Sequence, residues 1–242
     1  MIARSLFVAL LAFGIGVAPA RAQPVDAWAL KPFHLSFEFR LRGMNAGTAT
    51  MALTRAANDT WQYESRSRAR GIFKLYSSSE ILQASTLRVT NEGVQPLHFV
   101  GDDGSTATDK DVELRFDWQA RRATGTAEDK QVDVAIEPGV QDGMSVQIAL
   151  MQELGKGNSP TSFKLLDKTL VKDYEYSRIR EESLDTAVGK LQTVVYRSKR
   201  PDSRYSTWYW VAPDYGYLPV KVERHKVDEV QWSLTVQTLQ RD

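Results

Sequence analysis

Phe33-His34-Leu35-Ser36-Phe37-Glu38-Phe39-Arg40-Leu41 places an apolar side chain at every odd position and a polar one at every even position. Successive side chains of a β-strand point to opposite faces, so this stretch reads as a strand with one dry face and one wet face. The same alternation returns in Val112, Leu114, Phe116 and Trp118, in Val132, Val134 and Ile136, and in Val230, Trp232, Leu234 and Val236. Weaker strands are expected over residues 48–54, 60–70, 81–90, 97–100, 163–166, 172–179, 191–198, 206–211 and 218–225. Turn-forming residues separate them, among them Gly43 to Gly47, Asn58-Asp59, Asp102-Asp103-Gly104 and Pro213-Asp214. The spacing is that of a meander.

One segment departs from the two-residue period. Between Pro138-Gly139 and Gly155-Lys156-Gly157, Met144, Ile148, Met151 and Leu154 recur at helical intervals, Asp142 is placed to cap, and Gly155 to stop. A helix is expected over 143–154. The fold class is therefore mainly β: an antiparallel, strongly curved sheet or incomplete β-barrel, with one amphipathic helix covering an open end or the concave face.

The chain opens with Arg4, an apolar run from Leu6 to Val17, and Ala20-Arg21-Ala22, the pattern of a cleavable signal peptide over residues 1–22. The run is too short for the roughly 20 residues that span a bilayer as a helix. The expectation is a periplasmic protein whose single β-rich domain spans 23–242, with no transmembrane anchor after cleavage. Without cysteine the chain has no disulfides, no thiolate catalysis and no cysteine–zinc site. Its 31 Lys and Arg against 30 Asp and Glu leave a formal charge of +1, and no basic footprint points to nucleic acid. A lipid-facing outer-membrane barrel also suits alternating strands, but several look short for the roughly 9 to 11 residues a crossing takes.

No motif for chemistry stands out. His34, His98 and His225 fall in separate strands, which is not a metal-ligand spacing, and no nucleophile elbow or phosphate loop occurs. Neither cofactor nor metal is expected. The loop from Asp102 to Asp111 is rich in oxygen ligands but lacks the calcium-loop pattern. Glu80 and Glu175 are the pair that would serve as acid and base if the fold brought them together. Arg66, Arg68 and Arg70 share one face of their strand. They would either grip anionic head groups or form a solvated face paired with acids. Tyr205 to Val211 carries large side chains on both faces, as in a strand buried on two sides or at the rim of a pocket.

Three motifs carry a resemblance: Gly93-Val94-Gln95-Pro96, Pro138-Gly139-Val140-Gln141-Asp142-Gly143-Met144-Ser145, and the stretch from Trp208 to Lys221 with its Pro213-Asp214 turn. From about His34 to Leu239 the chain resembles DUF3108, a bacterial family of usually exported proteins without an assigned activity. The resemblance brings no catalytic residue with it. The Trp208–Lys221 hairpin is also similar to one in periplasmic lipoprotein carriers of the LolA and LolB kind. That likeness implies a half-open barrel with a helix plugging its mouth and an apolar cavity for acyl chains.

The resulting expectation is a non-enzymatic periplasmic protein that shelters an apolar or amphipathic envelope molecule, a lipid or glycolipid. Phe37, Phe39, Trp61, Tyr63, Phe116, Trp118, Trp208, Trp210 and Trp232 are the candidate ligand contacts, and Arg66, Arg68 and Arg70 the candidate head-group contacts. The alternatives are a module that recruits other envelope proteins, and a carboxylate-based hydrolase or lyase acting on envelope polysaccharide.

Overall fold

The computed structural model describes residues 29–75, 80–90 and 92–241. The signal peptide expected over residues 1–22 lies outside the described residues. Fourteen strands follow in chain order, beginning with β1 (Phe33–Leu41), β2 (Met44–Arg55), β3 (Thr60–Ala69), β4 (Ile81–Thr90), β5 (Gly93–Asp102), β6 (Val112–Asp117), β7 (Arg122–Ala127) and β8 (Lys130–Ala135). After the helix α1 (Ser145–Gly155) come β9 (Ser162–Asp167), β10 (Leu170–Thr186), β11 (Gly189–Lys199), β12 (Tyr205–Ala212), β13 (Leu218–Lys226) and β14 (Glu229–Arg241).

All fourteen form one antiparallel sheet in the order β8-β7-β6-β5-β4-β3-β2-β1-β14-β13-β12-β11-β10-β9. The chain starts at the centre, winds out to one edge, crosses through α1 to the other edge, and winds back until β14 pairs with β1. Phe37 then stands opposite Val236, and Phe39 opposite Leu234. Hydrogen bonding does not close the sheet, but its edges β8 and β9 are drawn together. Gln141 donates its N–H to the Lys164 carbonyl at 2.8 Å and accepts that of Leu166 at 2.9 Å. Ion pairs Lys164–Glu137 (2.8 Å) and Lys168–Glu128 (2.7 Å) join the same edges. The outcome is an incomplete barrel, as the alternating strands predict.

The helix is buried more completely than an amphipathic lid would be. Val146, Ile148, Leu150, Met151 and Leu154 are buried, and so are the polar Ser145, Gln147 and Gln152. The curved sheet wraps α1 on several sides, giving one cluster with Leu165, Tyr176, Val194, Tyr196 and Val211 and another with Phe99, Leu87 and Phe33. Asp142 caps it as expected: Oδ1 accepts the N–H groups of Met144 (2.7 Å) and Ser145 (2.6 Å), while the Asp142 N–H donates to Ser145 Oγ (2.9 Å). This is a reciprocal capping box.

Two strand assignments are corrected. The turn expected over Gly43 to Gly47 is only Arg42-Gly43, because β2 already begins at Met44. The small residues of β7, Arg122-Ala-Thr-Gly-Thr-Ala, form a strand that no hydrophobic alternation announces, since its inward side chains are Ala123 and Ala127.

Candidate functional site

Alternate strands run the same way, so the ends of β1, β3, β5, β11 and β13 and the starts of β2, β4, β12 and β14 all lie at one end of the barrel. A cleft of about 460 Å³ opens there, floored by Gly143, Met144 and Gln147 at the start of α1. Its walls come from seven strands. Phe39, Met51, Val222, Trp232 and Leu234 supply apolar surface, and Ser65, Ser67, Thr207 and Arg224 supply polar groups. A smaller cavity of about 320 Å³ adjoins it, shares Phe39, Ser67 and Ile81, and runs toward Leu41, Ala69 and Phe73.

The cleft exists because of how β3 is graded. Its inward row reads Trp61, Tyr63, Ser65, Ser67, with large rings at depth and hydroxymethyl groups toward the mouth, where the missing side-chain volume leaves space. At the foot of the cleft Tyr63 donates its hydroxyl to Gln147 Oε1 and lies 3.4 Å from the Met51 sulfur. Burial holds the Tyr63 hydroxyl well above its ordinary pKa, so it remains a proton donor. Beneath them Asp142 is wholly buried, with Ser85 Oγ donating to its Oδ2 at 2.6 Å. Burial pushes its carboxyl pKa up, against the opposing pull of the donors from Ser145, Ser85 and Met144.

The candidate ligand contacts divide between several places. Phe39 and Trp232 line the cleft, and Tyr63 braces its floor. Phe37 is buried in the core, and Trp61 is buried under the Arg55 guanidinium, 4.5 Å from the ring centroid. Phe116 and Trp118 stack at 6.4 Å beside β5, where Trp118 donates its indole N–H to the Pro96 carbonyl at 2.7 Å. Tyr209 lines the cleft, so its strand neighbours Trp208 and Trp210 face away from it. Lys221 covers Trp210 at 4.3 Å, Arg180 and Arg197 stand about 6 Å from Trp208, and the Trp210 indole donates to Glu182. One face of the strand thus borders the cleft, the pocket-rim arrangement its composition allows, while the other is covered by charged side chains.

The arginine row also lies away from the cleft. Ser65 and Ser67 point inward, so Arg66 and Arg68 point outward, where both hold Glu80 and Arg66 also holds Glu64. The hydrogen bond from Arg66 is the main reason the Glu80 carboxyl is held below its ordinary pKa. Arg70 follows the end of β3 on the rim and is exposed. The guanidinium that does line the cleft is Arg224, whose Nη1 donates to Thr207 Oγ1 at 2.7 Å. A sequence signal for it exists: Leu218, Val220 and Val222 mark the inward row of β13, and Arg224 continues it.

His34 is exposed, His98 bonds Glu113 at 3.1 Å, and His225 bonds Glu223 at 2.7 Å and packs 5.4 Å from Trp208. Asp102, Asp103 and Asp111 each place one carboxylate oxygen within 4.8 Å of the others, and Lys110 stands 3.5 Å from Asp103. Backbone N–H groups of Gly104 and Ser105 satisfy Asp102 and Asp103.

An incomplete antiparallel barrel with a buried crossing helix and a cleft at one end defines the class of this protein. The chain belongs to the family described as "Protein of unknown function (DUF3108)", which it matches over residues 34–229. Comparison with curated proteins finds no match. Among solved structures, a β-barrel-like protein of the DUF1849 domain from Brucella abortus is 11% identical with a TM-score of 0.53, over 88% of this chain and 98% of that one. A protein from Bacteroides fragilis described as exported, with a YmcC-like fold, is 9% identical with a TM-score of 0.38, over 87% and 96%. A domain from Vibrio parahaemolyticus named for outer-membrane lipoprotein sorting is 9% identical with a TM-score of 0.23, over 90% and 87%. The Brucella likeness shows the fold alone. Among the described residues, no helix is long and apolar enough to cross a membrane.

Proposed function

We propose that this protein is exported to the periplasm and carries or shelters an amphipathic envelope molecule, a lipid or glycolipid, in the mouth-end cleft. The observation that carries the reading is the composition of that cleft. Its volume of about 460 Å³ falls in the range of small-molecule sites, its walls are mainly apolar, and a few polar groups come from the flanking strands β3 and β4 on one hand and β12 and β13 on the other. The apolar part of the ligand would lie against Phe39, Met51, Trp232 and Leu234. Its polar head would meet Arg224, Thr207 and the serines of β3, where a guanidinium offers a planar fork to phosphate or carboxylate.

The reading is non-catalytic. Glu80, one of the two carboxylates considered as an acid–base pair, is engaged by two arginines on the outer face, and its lowered pKa makes it a poor proton donor at neutral pH. The test is to express the full-length gene in a Gram-negative host, purify the protein from the periplasm without detergent, and weigh it under native and denaturing conditions. A discrete mass excess of a lipid or glycolipid in the native state, lost in Trp232→Ala or Arg224→Ala, is the expected result. Equal masses, together with no uptake of a hydrophobic fluorescent probe, would overturn the reading.

A further inference from the structure

Seven large apolar side chains are exposed among the described residues, and six of them sit at the mouth end: Met44, Ile72, Ile81, Leu170, Tyr205 and Val227. The seventh, Ile179, lies within β10. Single exposed apolar residues scattered over a surface mean nothing, whereas a collection at the end where two adjoining cavities open calls for a cause. The exposure is large, at 69% for Ile72, 56% for Met44 and 54% for Val227. Val227 also takes a φ of 57°, a left-handed conformation that glycine or asparagine adopts more readily than a β-branched residue.

One lip of the mouth combines this apolar surface with positive charge. It consists of the β1–β2 hairpin tip and the residues that follow β3, with a 3-10 turn at Gly71–Leu75. Residues 41–47 and 69–75 contain Arg42, Arg70 and Lys74 and no acidic residue. All three are exposed beside Met44 and Ile72. Next to them Arg66 and Arg68 are matched by Glu64 and Glu80. The smaller cavity, lined by Leu41, Ala69, Phe73 and Ile81, connects this lip to the cleft; its one acidic lining residue, Asp103, is paired with Lys110 at 3.5 Å. The opposite lip, with Tyr205 and Val227, carries acids as well as bases.

We propose that the lip formed by residues 41–47 and 69–75 docks on an anionic phospholipid bilayer. Met44 and Ile72 enter the interface, and Arg42, Arg70 and Lys74 meet lipid phosphates. Basic residues flanking protruding apolar ones are what an interfacial contact needs, since the apolar part inserts shallowly and the charge is drawn to the surface potential. The proposal deepens the carrier reading and rests on it for the reason that the cleft should face a membrane.

The test is co-sedimentation of the purified protein with vesicles of phosphatidylcholine alone and of phosphatidylcholine mixed with phosphatidylglycerol. Ile72→Asp and the double variant Arg70→Glu/Lys74→Glu are compared with the unmodified chain on the same N-terminus, so that residues 1–28 contribute equally. All three positions are exposed, and thermal melting checks that each variant folds. The expected result is binding that requires phosphatidylglycerol, weakens in high salt, and falls about tenfold in Ile72→Asp and more in the double variant. Equal binding by all three proteins overturns the proposal, as does binding indifferent to phosphatidylglycerol or a lip that instead mediates self-association without vesicle binding. Native mass measured on the same samples separates the two readings. A ligand retained while lip variants bind vesicles normally removes the docking and leaves the carrier, and lip-dependent docking without any ligand does the reverse.

Discussion

Replacing Asp142 tests the junction between helix, sheet and cleft in one position. In Asp142→Ala the N–H groups of Met144 and Ser145 lose their acceptor, which for an N-cap costs about 1 to 2 kcal/mol. Ser85, itself fully buried, loses the partner of its hydroxyl, and a buried unsatisfied polar group costs about 1 to 3 kcal/mol. Relief of the buried carboxyl offsets part of this, so a loss of about 3 kcal/mol is expected, equivalent to about 6 to 12 °C in Tm for a chain of this size. Asp142→Asn keeps an acceptor for the helix and a group for Ser85, and should fall within about 1 kcal/mol of the unmodified protein. The two variants also differ in pH dependence. Because the folded-state pKa of Asp142 is raised, the folded chain holds a proton that the unfolded chain releases. The contribution of this group to stability is therefore greatest below the ordinary carboxylate range and declines as pH rises through the folded value. Urea unfolding across pH should show this decline in the unmodified protein relative to Asp142→Asn, which lacks the titration. A loss below about 1 kcal/mol in Asp142→Ala would refute the capping account, and identical pH profiles for the unmodified protein and Asp142→Asn would refute the buried-carboxyl account.

Other positions give independent checks. Leu150, almost fully buried where α1 meets Val194 and Tyr196, should lose about 2 to 5 kcal/mol as Leu150→Ala in urea unfolding. Gly125 has φ 143°, and a Cβ there would press on the Glu113 carbonyl, so Gly125→Ala should lower stability by about 2 kcal/mol or more, read from the same transition. Ser67→Trp would occupy the cleft and should abolish probe uptake while leaving Tm close to that of the unmodified protein. Lys164→Ala removes an exposed ion pair across the open seam and should leave Tm unchanged within error, because the backbone bridge at Gln141 remains.

The fold was legible wherever a local period was strong. Phe33 to Leu41 and Val230 to Val236 alternate cleanly because each buries one face, and Asp142 starts the helix because capping is local chemistry, whereas Gly155, expected to stop it, is its last residue and the left-handed turn falls at Gly157 (φ 82°). β7 escaped notice because its inward residues are alanines. The turn that follows it, Glu128-Asp129, adopts φ of 51° and 58° without the glycine or asparagine that usually marks such a turn.

The candidate site was legible only in part, and the division has a physical reason. Alternation tells which residues share a face of a strand, so the sequence by itself determined that Arg66 and Arg68 point one way and Trp61 and Tyr63 the other, and likewise that Trp208 and Trp210 oppose Tyr209. Which face lies inside the barrel, and which strand ends gather around its mouth, depends on how fourteen strands curve around one helix. Those are contacts between residues far apart in the chain. The tertiary structure therefore decided that Arg224 rather than the β3 arginines meets the cleft, that Phe39 and Trp232 line it while Phe37 and Trp61 are core, and that the serines of β3 leave the space a ligand would fill.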